Sequence, residues 1–130
     1  MRKELIARNA ACNAIVDSVD LGSLYSSGRL CLYTDSTTQD STTMLTWMPM
    51  AVPAYQDATD GTAIANPITD STSFFDGTAV SFMVVNRDGT ACFGGSVVKT
   101  GTVGDMHLAQ TFFPKDSTIS ISSAYYLVPA

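Results

Sequence analysis

The side chains able to do chemistry are few and scattered. There is one histidine, His107, with Asp105 two residues before it. Serine, histidine and aspartate are all present, but no serine sits in a Gly-x-Ser-x-Gly elbow that would expose its hydroxyl on a strained strand-to-helix turn. His107 therefore reads as a sheet or surface residue at the start of a strand, not as a base. The cysteines Cys12, Cys31 and Cys92 are widely spaced, odd in number and without a Cys-x-x-Cys pair. That pattern fits neither a disulfide framework nor a zinc knuckle, and three free, mostly buried thiols are expected.

Other chemistries fare no better. A metal centre needs more grouped nitrogen or thiolate ligands than this chain offers. "DATDG", Asp57 to Gly61, lacks the ligand spacing and closing glutamate of a calcium loop and reads as an Asp-Gly turn. "GTVG" has no lysine and no helix after it, so no phosphate loop is expected. No catalytic residue, no cofactor and no metal is assigned, and the chain is read as a non-enzyme. The net charge of −5, from 12 acidic against 7 basic residues, disfavours a nucleic-acid partner. The aromatics, among them Trp47, Phe74, Phe93 and Tyr125, have few cations near them and read as core and interface residues.

The elements that must position these residues are mostly strands. A chain of 130 residues with 45% apolar and 15% charged residues is long enough for one domain with a real core. Its many threonines, valines and aromatics favour strands. The exception is the start. From Arg2 to Asp20 no proline or glycine intervenes, and Leu5, Cys12, Ile15, Val16 and Val19 share one side at helical spacing. Gly22 suits the left-handed position after a helix. Ala7, Ala10, Ala11 and Ala14 widen the small-residue surface beyond that apolar side; they read either as good helix formers on an exposed surface or as the face of a helix held between its own sheet and a neighbouring chain.

"RLCLYT" reads as the first strand and "MLTWM" as the second, with Pro49 ending it or confining it to an edge. Asp35 to Thr43 reads as an exposed polar loop. Pro53 to Phe75 reads as long loops with one short strand near Ala63 to Ala65. "FMVVNRDGTACFGGSVV" is the clearest hairpin, its Asp-Gly supplying the turn and Gly94-Gly95 marking a bulge or a close backbone approach. His107 to Phe113 is expected as one strand and Thr118 to Leu127 as the last.

The predicted fold is mainly β: an antiparallel, jelly-roll-like β-sandwich with one N-terminal α-helix. A single domain spans residues 1–130, with the helix in 1–22, the sandwich in 29–130 and long loops at 35–43 and 53–75. The expected core contains Val80, Phe82, Val84, Ile119, Ile121 and Leu127. No apolar run approaches the ~20 residues needed to span a bilayer, and the charged start "MRKELIARNA" is not followed by a leader-like apolar stretch. No membrane partner and synthesis in the cytoplasm are expected.

The helix "LIARNAACNAIVDSVDLG", the strand "GRLCLYT", the hairpin "FMVVNRDGTACFGGSVVKTG" and the closing "DSTISISSAYYLVP" occur in an order that resembles small tailed-bacteriophage virion proteins, and among these head decoration (cement) proteins. The resemblance covers both ends and the central hairpin but not Asp35 to Phe75. It implies a virion location, no catalytic residues, a homo-oligomer such as a trimer, and the major capsid protein or another virion protein as partner. The interface residues expected on this reading are Arg2, Lys3, Ala7, Arg8, Ala10, Ala11 and Ala14. Two alternatives stand beside it. One is another virion part, in the tail, neck or baseplate. The other is a receptor- or carbohydrate-binding β module, for which Tyr55 beside Asp57 is the candidate pair.

Overall fold

A computed structural model describes residues 2–59, 62–99, 106–108, 110–121 and 125–127; for 2–6, 8, 106, 107 and 125–127 it describes the backbone alone. The chain is mainly β with one N-terminal helix. Helix α1 runs over Arg2–Asp17 and tightens into a 3₁₀ turn at Ser18–Asp20. Gly22 follows at φ +112°, a conformation that side chains rarely adopt, and a Cβ there would lie 2.6 Å from the Asp88 side chain. The helix thus ends three residues earlier than its sequence pattern predicts, with the extra turn wound more tightly.

Five strands make the main sheet: β1 (Arg29–Tyr33), β2 (Met44–Pro49), β6 (Ser81–Val85), β7 (Ala91–Lys99) and β8 (Met106–Leu108), in the order β2-β1-β6-β7-β8. All neighbours are antiparallel except β7 and β8. Six shorter strands form three antiparallel ribbons. They pair β3 (Thr62–Ile64) with β11 (Tyr125–Leu127), β4 (Ser71–Thr72) with β10 (Thr118–Ile119), and β5 (Gly77–Thr78) with β9 (Phe112–Phe113).

The expected strand from His107 to Phe113 is therefore two strands with different partners, β8 in the sheet and β9 in a ribbon. The expected closing strand is likewise divided between β10 and β11. Period-two alternation fixes which side a residue faces but is silent on a change of partner.

The sheet's register sorts its side chains into two sets. Leu30 and Leu32 lie opposite Met48 and Thr46 on one side and opposite Val84 and Phe82 on the other. Most of these inner-face residues share one buried cluster with Cys12 and Val16 of α1, Val19 beyond it, and Ala63, Phe113 and Ile119 of the ribbons. Burial of this apolar set is the main stabilising term. Thr46, also fully buried, donates to the Thr72 carbonyl at 2.9 Å. With Thr69 N to Pro49 O at 3.0 Å and Phe74 N to Leu45 O at 2.8 Å, that bond covers the β2 edge, which otherwise invites unwanted strand pairing. Pro49 indeed ends an edge strand.

Among the expected core residues, Phe82, Val84 and Ile119 are buried and Ile121 is partly buried against the same cluster. Val80 is not core. It precedes β6 at the corner where the chain turns in from β5, and it is 39% exposed. The side chain of Leu127 lies outside the described residues. The "NRDG" turn closes as expected: Asn86 Oδ1 accepts from Asp88 N at 2.9 Å and Thr90 N at 3.0 Å, and Gly89 takes φ +82°. Gly94 is a close approach, since a Cβ there would meet the Phe82 carbonyl at 2.5 Å.

Candidate binding surfaces

Two surfaces stand out among the described residues once the core is assigned. The first is on α1. Cys12, Val16 and Val19 are buried, while Ala7, Ala10, Ala11 and Ala14 are all exposed. At 3.6 residues per turn these four alanines span about 100° of the helix surface. The flank between them and the buried side is tied down by polar bonds. Asn13 Oδ1 accepts from Ala58 N at 2.8 Å, and Asp20 Oδ1 accepts from Ala54 N at 3.0 Å. Burial pushes the Asp20 carboxyl above its ordinary value, with the Ala54 bond pulling the other way. These contacts hold the helix between the core and the 54–58 loop. They leave the alanine arc as its open side. Arg2, Lys3 and Arg8 lie on the same helix, and their side chains are outside the described residues.

The second surface is the outer face of the main sheet. Register places Trp47, Cys31, Met83 and Gly94 in one row across four strands. Strands lie about 4.8 Å apart, so the row spans roughly 14 Å. Its middle is a small closed cluster: Cys31, Tyr33 and Val85 are buried, with Met44 and Met83 packed against them. Burial raises the Cys31 thiol above its usual range and, with Cys31 beside it, pushes Tyr33 up to about 12.

At one end of the outer face is an open cleft of ≈ 320 Å³ lined by Ser36, Gln39, Ser81, Met83, Gly94 and Ser96, among others. Buried Ser81 organises its wall. Its hydroxyl donates to the Asp35 carbonyl at 2.6 Å and accepts from Gln39 Nε2 at 2.8 Å. The polar loop expected at 35–43 is thereby lashed to the sheet and internally ordered. Asp35 Oδ1 accepts from Thr37 N at 2.9 Å and Asp40 Oδ1 from Thr42 N at 2.9 Å. These threonine bonds hold both carboxyls below their usual range, the Thr37 amide leading for Asp35 and the Thr42 hydroxyl for Asp40.

At the other end, Arg29 carries its guanidinium carbon 4.0 Å from the centre of the Tyr25 ring and 5.0 Å from that of Trp47. Tyr25 is brought there by the segment after the helix, which is stitched to the "NRDG" turn. Tyr25 N donates to Arg87 O at 2.8 Å and Arg87 Nε returns to Tyr25 O at 2.9 Å. Asp88 Oδ1 accepts from Ser23 N at 3.0 Å and Leu24 N at 3.2 Å, and these amides hold its carboxyl below its ordinary value.

The sequence reading put the aromatics in the core and interfaces. Of these, Trp47 is exposed on this face and so not core; Tyr25, on which the sequence reading was silent, is exposed beside it. Tyr55, the proposed glycan-facing residue, is 6% exposed and packs against Phe93 with ring centres 6.2 Å apart. It is a core residue, and the pairing with Asp57 falls away. The signal for Trp47 was its alternation with two buried residues, Thr46 and Met48, on an edge strand. The partner Arg29 required strand register. No sequence pattern brings Tyr25 to it, because a loop does so.

Nothing in the described geometry assembles a nucleophile, a base and an oxyanion site. Among the described residues there is no group of three or more His, Cys, Asp and Glu able to hold a metal ion. Cys12, Cys31 and Cys92 form no disulfide. The side chain of His107, and Asp105 altogether, lie outside the described residues. No described helix is long and apolar enough to cross a membrane. Comparison with known proteins finds no match among family models, curated proteins or solved structures.

Proposed function

We propose that this chain is a non-enzymatic structural component of a tailed-phage virion, a decoration protein that stabilises the head shell by bridging capsid subunits. The observation that carries the reading is the open arc of Ala7, Ala10, Ala11 and Ala14 on a helix whose opposite side is buried in its own core. Small side chains let a second backbone approach closely, and an exposed alanine face loses little entropy when it is covered. Element order supports the same reading through its resemblance to decoration proteins. Each copy would bury about 1,000 Å² or more against the shell, and many modest contacts would add up against internal pressure. The major capsid protein is the partner, and copies of this chain associate as a homo-oligomer.

Labelling intact virions with an antibody against the chain, viewed by electron microscopy, tests this. Label over the icosahedral head supports decoration. Label confined to the tail, neck or baseplate moves the protein to another virion part, and its absence from virions ends the reading.

A further inference from the structure

The Tyr25–Arg29–Trp47 stack has no role in the alanine-face contact and stands independently of the virion reading. Arg29 lies on an acidic chain, yet no carboxylate pairs with it among the described residues, and its Nε is buried without a hydrogen-bond partner. Two aromatic rings lie within 5.0 Å of the guanidinium carbon, a cation–π arrangement that leaves the charge available for a charge-assisted bond. Arg87 holds the loop that carries Tyr25 by donating from Nε to the Tyr25 carbonyl. The carboxylate of the adjoining turn, Asp88, accepts two backbone amides on Oδ1.

The surroundings decide between ligand classes. Leu21 and Leu24, in the loop that carries Tyr25, are 61% and 68% exposed, and Tyr25 and Trp47 are 41% and 37% exposed. A sugar needs several free hydrogen-bonding groups around a stacking ring; here the Asp88 Oδ1 and the Arg87 Nε are taken up by backbone bonds, and the Tyr25 loop exposes two leucines. Tryptophan, tyrosine and arginine beside apolar side chains are the composition of protein-binding hot spots. We propose that Tyr25, Arg29 and Trp47 form a protein-docking site that takes an Asp or Glu carboxylate presented by a partner among apolar residues. The guanidinium edge holds the carboxylate in its plane, and the rings and leucines cover the neighbouring apolar groups.

The test pans a random peptide library on the full-length protein and measures the selected peptides against variants by titration calorimetry. The expected result is enrichment of Asp or Glu flanked by apolar residues. Arg29→Lys, which keeps the charge and loses the planar fork, and Arg29→Gln should each weaken binding roughly tenfold or more. Trp47→Phe keeps a ring on the guanidinium and should weaken it less. Circular dichroism melts of each variant separate lost binding from lost folding. Failure to select binders, selection without acidic enrichment, or peptides that bind Arg29→Lys as well as the parent would overturn the proposal, leaving the stack as a strut for the loop. Arg29-dependent binding to uronic-acid glycans on a glycan array, without acidic peptide binding, would also overturn it and assign the site to a sugar.

Discussion

The two faces of the main sheet are built from the same strands and meet different fates. On the inner face Leu30, Leu32, Met48, Phe82 and Val84 disappear into one cluster with the helix and the ribbons. On the outer face the buried apolar cluster is small, Cys31, Tyr33 and Val85, and the ends of that face stay open as a serine-lined cleft and an arginine–aromatic stack. Alternate residues of one strand thus divide the work. Leu30 and Leu32 stabilise the fold, while Arg29 stands at a surface that can meet a partner. Stability and recognition need not compete for positions when a strand's two sides are assigned separately.

The difference is measurable. Phe82→Ala, on the inner face, should cost about 3–5 kcal/mol, and Leu32→Ala about 2–5 kcal/mol, in urea unfolding. Met83→Ala, one residue along and on the outer face, should cost about 1 kcal/mol, because its side chain is only partly buried. Equal costs at Phe82 and Met83 would mean that the outer face is as closed as the inner one.

A smaller effect comes from Tyr33. Its phenol is held neutral in the fold, with a value of about 12 against an ordinary 10. The unfolded chain ionises first, so the stability from this group is present below pH 10 and is lost as pH rises toward 12. Tyr33→Phe should flatten the stability profile in that window. A profile that still falls equally steeply in the variant would show that Tyr33 is not the group responsible.

The elements were largely readable, and the reasons are local. Helix α1 announces itself by spacing and by Gly22, whose position, at φ +112° and pressed against Asp88, suits only glycine. The "NRDG" hairpin was legible because Asn86 and Gly89 make the turn with their own atoms. Gly94 declared its close approach because nothing larger fits against Phe82. Val80 misled because it has the parity of Phe82 and Val84 but sits before the strand, where the core no longer covers it. Tyr55 misled because a polar neighbourhood in sequence, Asp57 and Thr59, hides a side chain that folds inward onto Phe93. The alanine arc could be read from the helical period alone. The Arg29 stack could not, since it joins a loop, a strand start and an edge strand through register and long-range backbone bonds.

The smallest effect on folding should come from the helix's open side. Ala10→Arg and Ala14→Arg place long charged chains at exposed positions in a helix that favours arginine nearly as well as alanine. Each should change stability by no more than about 0.5 kcal/mol. The same substitutions would obstruct any close approach of another chain, so stability and binding should separate cleanly at these two positions.

That separation makes the most direct measurement of the central claim. Under the proposed decoration role, purified head shells of a tailed phage whose genome carries this sequence would be mixed with the parent protein and with the Ala10→Arg, Ala14→Arg double variant, and the bound fraction measured by co-sedimentation. The account predicts saturable binding of the parent and at least tenfold weaker binding of the folded double variant, with the Arg29→Lys protein binding shells as the parent does. Binding that survives both alanine substitutions unchanged, or a parent protein that ignores the shells altogether, would contradict it.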